Sequence, residues 1–234
     1  MDVFDLHIHT RYSDGVMEVR EAIMYARKIG LKGISITDHN TLKGSLKALQ
    51  LSKELKLTEF IVIPGIEISC RYGHILVYGL TSIRRYNSVS ELIDIVKEEG
   101  GVVALAHPYG KLFFLPHKAV KDENLLSRFD AIEVINGKTP PISNRKAQEL
   151  SKRLNKPGIG GSDAHMLQEL GTVGTIINNY YASSSTNVLK AIKLGLCKAV
   201  GGRSFTQILA STINRRLLYG IKKSLSRRIK GLEI

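Results

Sequence analysis

Short apolar, β-branched runs alternate with longer segments of helical spacing along most of the chain. Val3–Ile8 predicts a buried strand, and Glu18–Ile29 a helix that stops at Gly30. Gly33–Thr37 predicts a second strand, with a helix after it through about Leu55. Phe60–Ile68 predicts a long strand interrupted at Pro64-Gly65, and His74–Leu80 a strand paired with it across a turn at Tyr72-Gly73. The rhythm continues with a helix over about Val89–Glu99, a strand over Gly101–Ala106, a helix near Val120–Arg128, and a strand over Ala131–Ile135. A helix over about Ser143–Leu154 and short strands at Gly158–Gly161 and Gly174–Ile177 complete it. Alternation at this pitch predicts parallel βαβ units, an α/β fold, without separating a barrel from an open doubly wound sheet.

Composition narrows the class. A chain of 234 residues, 43% hydrophobic, suits one compact domain. No apolar run is long enough to predict a membrane span. The opening residues lack a basic, cleavable leader, so a cytoplasmic protein is expected. Cys70 and Cys197 are the two cysteines, in neither a metal-binding nor a redox spacing, and they read as small core or strand residues.

The net charge of +13 is uneven: eight Lys/Arg and one Glu fall in the last 32 residues. A boundary at Gly201-Gly202 divides a domain over 1–202 from a basic tail over 203–234. Leu217, Leu218, Ile221, Leu225, Ile229 and Leu232 fall on one helical face of that tail. Arg215, Arg216, Lys222, Lys223, Arg227 and Lys230 fall mostly on the other, with Arg228 nearer the apolar edge. The tail therefore predicts an amphipathic helix that packs on the domain, or one that holds a polyanion such as an oligonucleotide.

Six of the seven histidines lie at or just beyond a predicted strand end, beside a carboxylate or another histidine. Parallel α/β folds keep their active sites at the C-terminal ends of their strands. His7 and His9 point to one face by the two-residue strand period, with Asp14 in the turn beyond. After the second strand come Asp38 and His39; His39 is the expected ligand. Asp38 either orients an imidazole or caps the next helix. Glu67 stands alone in an apolar strand, where an unpaired carboxylate is costly to bury, and His74 follows it. His107 ends a strand before Pro108, and Asp163 and His165 share a face by the same period. The remaining histidine, His117, reads as surface. Mixed imidazole and carboxylate donors without thiolate point to catalytic zinc, manganese or iron, and their number to two or three divalent ions. Clustered ions suit attack of activated water on phosphorus.

His7-Ile8-His9-Thr10 with Ser13-Asp14-Gly15, Thr37-Asp38-His39, Glu67, His107-Pro108 and Gly161-Ser162-Asp163-Ala164-His165 resemble, in order and spacing over roughly 1–200, the polymerase and histidinol phosphatase (PHP) family. The resemblance is to its small stand-alone metal-dependent phosphoesterases. It implies a distorted (β/α)7 TIM-like barrel. One ion would be held by His7, His9, Glu67 and Asp163, a second by Glu67, His74 and His107, and a third by Asp14, His39 and His165. Some trinuclear relatives carry histidine where Asp14 stands. Glu67, Asp163 and His165 are the expected catalytic residues, and Arg145 the expected phosphate contact. The implied substrates are nucleotides or other small phosphomonoesters, with DNA or RNA strands in exonucleolytic members. Two other readings stay open: a non-catalytic RNA-binding barrel subunit, which would not need all nine ligands, and an amidohydrolase, which would want a bridging lysine where Glu67 stands.

Overall fold

The structure is a computed structural model and describes residues 2–110, 116–204, 206–210 and 213. The tail helix expected from Leu217 onward lies outside the described residues, as does most of 203–234.

Among the described residues ten strands form two mixed sheets, with helices packed against them. In the first sheet, β1 (Asp2–Ile8) pairs in parallel with β2 (Gly33–Ile36), which pairs in parallel with β3 (Ile61–Val62). On its other side β1 pairs antiparallel with β9 (Val173–Ile177), and β9 with β10 (Cys197–Gly201). In the second sheet β4 (Gly65–Cys70), β5 (Gly73–Tyr78) and β6 (Val102–Leu105) are antiparallel neighbours. β6, β7 (Ala131–Asn136) and β8 (Gly158–Gly161) follow in parallel.

The helices are α1 (Val19–Lys28), α2 (Lys43–Glu54), α3 (Val89–Glu98), α4 (Glu123–Arg128), α5 (Pro141–Arg153) and α6 (Ser185–Lys193). Most turn apolar side chains inward, while α5 also buries Ser143, Asn144 and Ser151. Ala22, Ile23 and Ala26 of α1 pack in one cluster with Ile34 and Ile36 of β2. Leu92, Ile93 and Val96 of α3 pack in another with Ile75, Val77 and Val103. Fully burying one such side chain contributes about 1.5–3 kcal/mol.

The α/β class is as the alternation predicted; a closed barrel of parallel units is not what the described residues form. β5, β9 and β10 run antiparallel to their neighbours. The run Phe60–Ile68 splits at Pro64-Gly65, β3 joining one sheet and β4 the other. Pro64 has no N–H to give a ladder, and a Cβ on Gly65 would come within 2.2 Å of Ser35 Oγ, so only glycine admits the close approach there. α5 begins two residues before the expected start, because Pro141 suits the first turn of a helix. The segments that became α6 and β10 carry no chemistry, and the periodicity did not single them out.

The two sheets meet at seams rather than in a ladder. At one, Ile8 bridges Ala164; at the other, His39 bridges Glu67. β1 gives Asp2–Phe4 to β9, so the first seam is closed by the bridge and by Asp5. The buried Asp5 carboxylate accepts the backbone N–H of His7, Ser162 and Gly171 at 3.3, 2.9 and 2.9 Å. Both seams open on the ends of β1, β2 and β8, where the expected ligands lie. No helix among the described residues is long and apolar enough to cross a membrane.

Candidate metal centre

The two seams deliver nine side chains to one place. His7 is the second-last residue of β1 and His9 follows the strand; their Nε2 atoms are 3.1 Å apart, as side chains on a shared strand face can be. The chain then turns over a short loop that brings in Asp14, half exposed. Asp38 organises this loop: its Oδ1 accepts from Thr10 N–H and the Ser13 hydroxyl, its Oδ2 from the Thr10 hydroxyl, all at 2.7 Å. Neither expectation for Asp38 holds, since it touches no imidazole and Leu42 is the residue at the start of α2. A short carboxylate with two oxygens satisfies the loop's donors better than either role. Gly44 makes room for it, because a Cβ there would lie 2.0 Å from Asp38 Oδ2.

Glu67 of β4 is the hub. Its Oε1 lies 2.8 Å from His74 Nδ1 and 3.0 Å from His107 Nε2. Its Oε2 lies 3.3 Å from His7 Nε2, 3.2 Å from His9 Nε2 and 3.1 Å from His39 Nδ1. From beyond β8, Asp163 Oδ1 lies 3.3 Å from His9 Nε2 and 3.9 Å from His7 Nε2. His165 Nε2 lies 3.1 Å from Asp14 Oδ2, and His39 Nε2 3.9 Å from Asp14 Oδ1. His107 and Asp163 hold φ of +25° and +53°, a region non-glycine residues enter sparingly. Such strain of about 1–3 kcal/mol is kept where the surroundings demand it.

Four overlapping groups have donor atoms within 4.8 Å of one another: His7, Glu67 and His107; His7, His9 and Asp163; His9, Asp14 and His39; and His39, Glu67 and His74. His165 joins them through Asp14. Arg145, the expected phosphate contact, stands exposed on α5. His117, expected on the surface, is instead half-buried, its ring centroid 5.3 Å from that of His107 and 5.9 Å from that of His74. The cause is Gly73, which leaves a space that His117 fills; a Cβ there would meet its Nδ1 at 2.2 Å.

The electrostatics of the cluster ask for cations. Six carboxylates are buried among the described residues, Asp5, Asp38, Glu67, Glu133, Asp163 and Glu169, against one buried lysine, Lys138, which contacts Glu169. Burial alone would lower the His7 pKa, but the carboxylates of Glu133, Glu67 and Asp163 outweigh it and hold it well above the usual imidazole range. Burial would likewise raise Glu67, yet His7 and the other imidazoles hold it well below the usual carboxylate range. Burial and the neighbouring His9 push His165 down to about 4. Glu67 Oε2 is buried with three imidazole nitrogens close by and no aligned hydrogen bond to any. Buried acceptors without donors are rare because they are costly. Imidazoles turned toward carboxylates in this way fit divalent ions, which would take the place of the ring protons as the positive charge.

Three supporting residues escaped the sequence reading. Glu169 Oε2 accepts the His165 N–H at 2.8 Å, and Glu133 and Asn136 of β7 contact three of the nine residues. Glu133 carried the same signal as Glu67, a lone carboxylate in an apolar strand.

Residues 5–143 match the family model described as PHP domain, and residues 141–197 a second model described as PHP-associated. The chain is similar to the uncharacterized protein MJ1587 of Methanocaldococcus jannaschii, 35% identical over 144 residues that cover 56% of this chain and 80% of that protein. It is similar in fold to a two-domain protein from Bacteroides vulgatus containing a predicted PHP-like metal-dependent phosphoesterase. The TM-score is 0.69 at 19% identity, over 85% of this chain and 64% of that one. PsfC from Pseudomonas syringae superposes with a TM-score of 0.66 at 16% identity, over 93% of this chain and 98% of that one. At these identities the two structures speak to the fold alone.

Proposed function

This chain belongs to the PHP domain family, and from that premise we propose that it is a metal-dependent phosphoesterase acting on nucleotides or other small phosphomonoesters, and on short oligonucleotides. The observation that carries this reading is the gathering of eight imidazole and carboxylate residues in overlapping groups, two of which share the buried Glu67, with His165 joined to them through Asp14. His7, His9, Glu67 and Asp163 would hold one ion, Glu67, His74 and His107 a second, and Asp14, His39 and His165 a third. Distances of 2.8–3.9 Å between donors within these sets suit edges of one coordination shell. Zinc, manganese and iron accept such mixed donors. Bound there, such ions would acidify water and neutralise charge on the entering and leaving oxygens of a phosphate ester.

The chain's own part is to hold those donors rigid. Glu67 turns Oε1 toward His74 and His107 and Oε2 toward His7, His9 and His39, so it would serve ions on both sides. Among the described residues, serine and cysteine offer no competing nucleophile beside the cluster: Ser13 Oγ is bound to Asp38, and Ser162 Oγ accepts the Ala164 N–H. Water is therefore the nucleophile this reading requires. The test is elemental analysis of protein purified without chelator, with hydrolysis of an aryl phosphate assayed before and after EDTA. At least two ions per chain and activity that EDTA abolishes are expected. Fewer than one ion after reloading, or activity indifferent to EDTA, would overturn the reading.

A further inference from the structure

Two buried side chains of β7 organise the donors without joining them. Glu133 Oε1 lies 2.9 Å from His7 Nδ1, and Glu133 Oε2 accepts the His107 backbone N–H at 2.8 Å. Asn136 Nδ2 donates to Glu133 Oε2 at 3.0 Å and to Asp163 Oδ2 at 3.1 Å. The Asn136 amide has only one possible orientation, because its Oδ1 accepts the Lys138 N–H at 2.9 Å and the Thr139 hydroxyl at 3.0 Å. Its backbone is held in turn by Asn144 of α5, which accepts the Asn136 N–H at 3.0 Å and donates to its carbonyl at 3.1 Å.

Two consequences follow from donor chemistry. A carboxylate oxygen accepts, so when the His7 ring is neutral its proton sits on Nδ1, and Nε2, the atom that faces His9 and Glu67, presents its lone pair. Asp163 Oδ2 is taken by Asn136, so Oδ1 is the oxygen turned toward the imidazoles of His9 and His165. For folding alone, an apolar residue at 133 would serve as well, since a buried carboxylate must recover a large desolvation penalty. The penalty is met here only by donors that belong to the cluster or to Asn136.

We propose that Glu133 and Asn136 are positioning residues of the metal centre. Glu133 sets the tautomer of His7 and anchors the backbone of His107, and Asn136 sets which oxygen of Asp163 is presented. Through them β7 ties together ligands delivered by β1, β6 and β8. The proposal rests on the cluster being a metal centre.

Its test compares wild type, Glu133→Gln and Asn136→Ala as purified full chains stripped of metal. Affinity for manganese is measured by competition with a chromophoric chelator, and cobalt(II) is added to read the visible absorption of the loaded site. Supporting groups of this kind are worth about 10–100-fold in metal affinity. Weakening by that factor is expected in each variant, with a shifted cobalt spectrum, which a purely structural role would not move. Wild-type affinity and an unchanged spectrum in both variants would overturn the proposal while leaving the metal centre standing. A wild type that binds neither ion would overturn both. Glu133→Gln keeps the shape of the side chain, so it decides the matter alone if Asn136→Ala does not fold.

Discussion

At the scale of single residues, Glu67 has more at stake than its size suggests. It is fully buried and reaches five imidazoles, two through Oε1 and three through Oε2. Glu67→Gln keeps the volume but replaces one oxygen by an N–H donor and removes the charge, so one side of the bridge loses its ligand. We expect the variant to retain at least one ion fewer per chain. Phosphoesterase activity should fall by more than the roughly 100-fold that marks the upper range for supporting residues. A Glu67→Gln variant with the full wild-type metal complement would contradict the bridging role. The same scale shows why backbone strain is tolerated at His107 and Asp163, where the positive φ turns the side chain back toward the cluster and neighbouring hydrogen bonds hold it.

At the scale of elements, the seams matter more than any one strand. β1 and β8 approach without a full ladder, and Asp5 supplies acceptors for three backbone donors drawn from β1, from the residue after β8 and from Gly171. Burial pushes this carboxyl up to about 6, while the hydrogen bonds from Ser162, Gly171 and His7 pull it down. Asn at position 5 keeps one oxygen and turns an amide N–H toward a backbone N–H, leaving a buried donor unmet at about 1–3 kcal/mol. For a chain of this size that is about 2–4 °C in Tm for each kcal/mol. Asp5→Asn is therefore expected to melt several degrees below wild type when both are metal-free, measured by calorimetry at neutral pH. Equal melting would show that the seam is held by the Ile8–Ala164 bridge and core packing instead.

At the scale of the whole molecule, the ions and the fold should stabilise each other. The ligands come from β1, β4, β5, the loops after β2, β6 and β8, and the turn containing Asp14, so the first and third ions would staple the two sheets together, while the second would tie strands of one sheet. A ligand present at a thousand times its Kd stabilises the native state by about 4 kcal/mol. With the Tm sensitivity given above, chelation is expected to lower Tm by about 8–16 °C, and excess manganese or zinc to restore it. A melting curve that does not respond to EDTA in a protein shown to carry metal would place the ions outside the load-carrying seams.

Much of this was legible before any coordinates. Strand period alone put His7 beside His9, because side chains two apart in a strand must share a face, and burial cost alone marked Glu67. The apolar runs gave most strands and helices, since burying them is the main driving force available to the chain. What the sequence could not decide is where chain segments distant in sequence meet. Whether β3 continues into β4, whether β1 closes onto β8, and why His117 is half-buried depend on Pro64-Gly65, on competition from β9, and on the space beside Gly73. Glu133 and Asn136 also belong to this second group. A hydrogen bond that selects a tautomer or one carboxylate oxygen is set by tenths of an ångström between strands far apart in sequence, and only the packed tertiary structure fixes such distances.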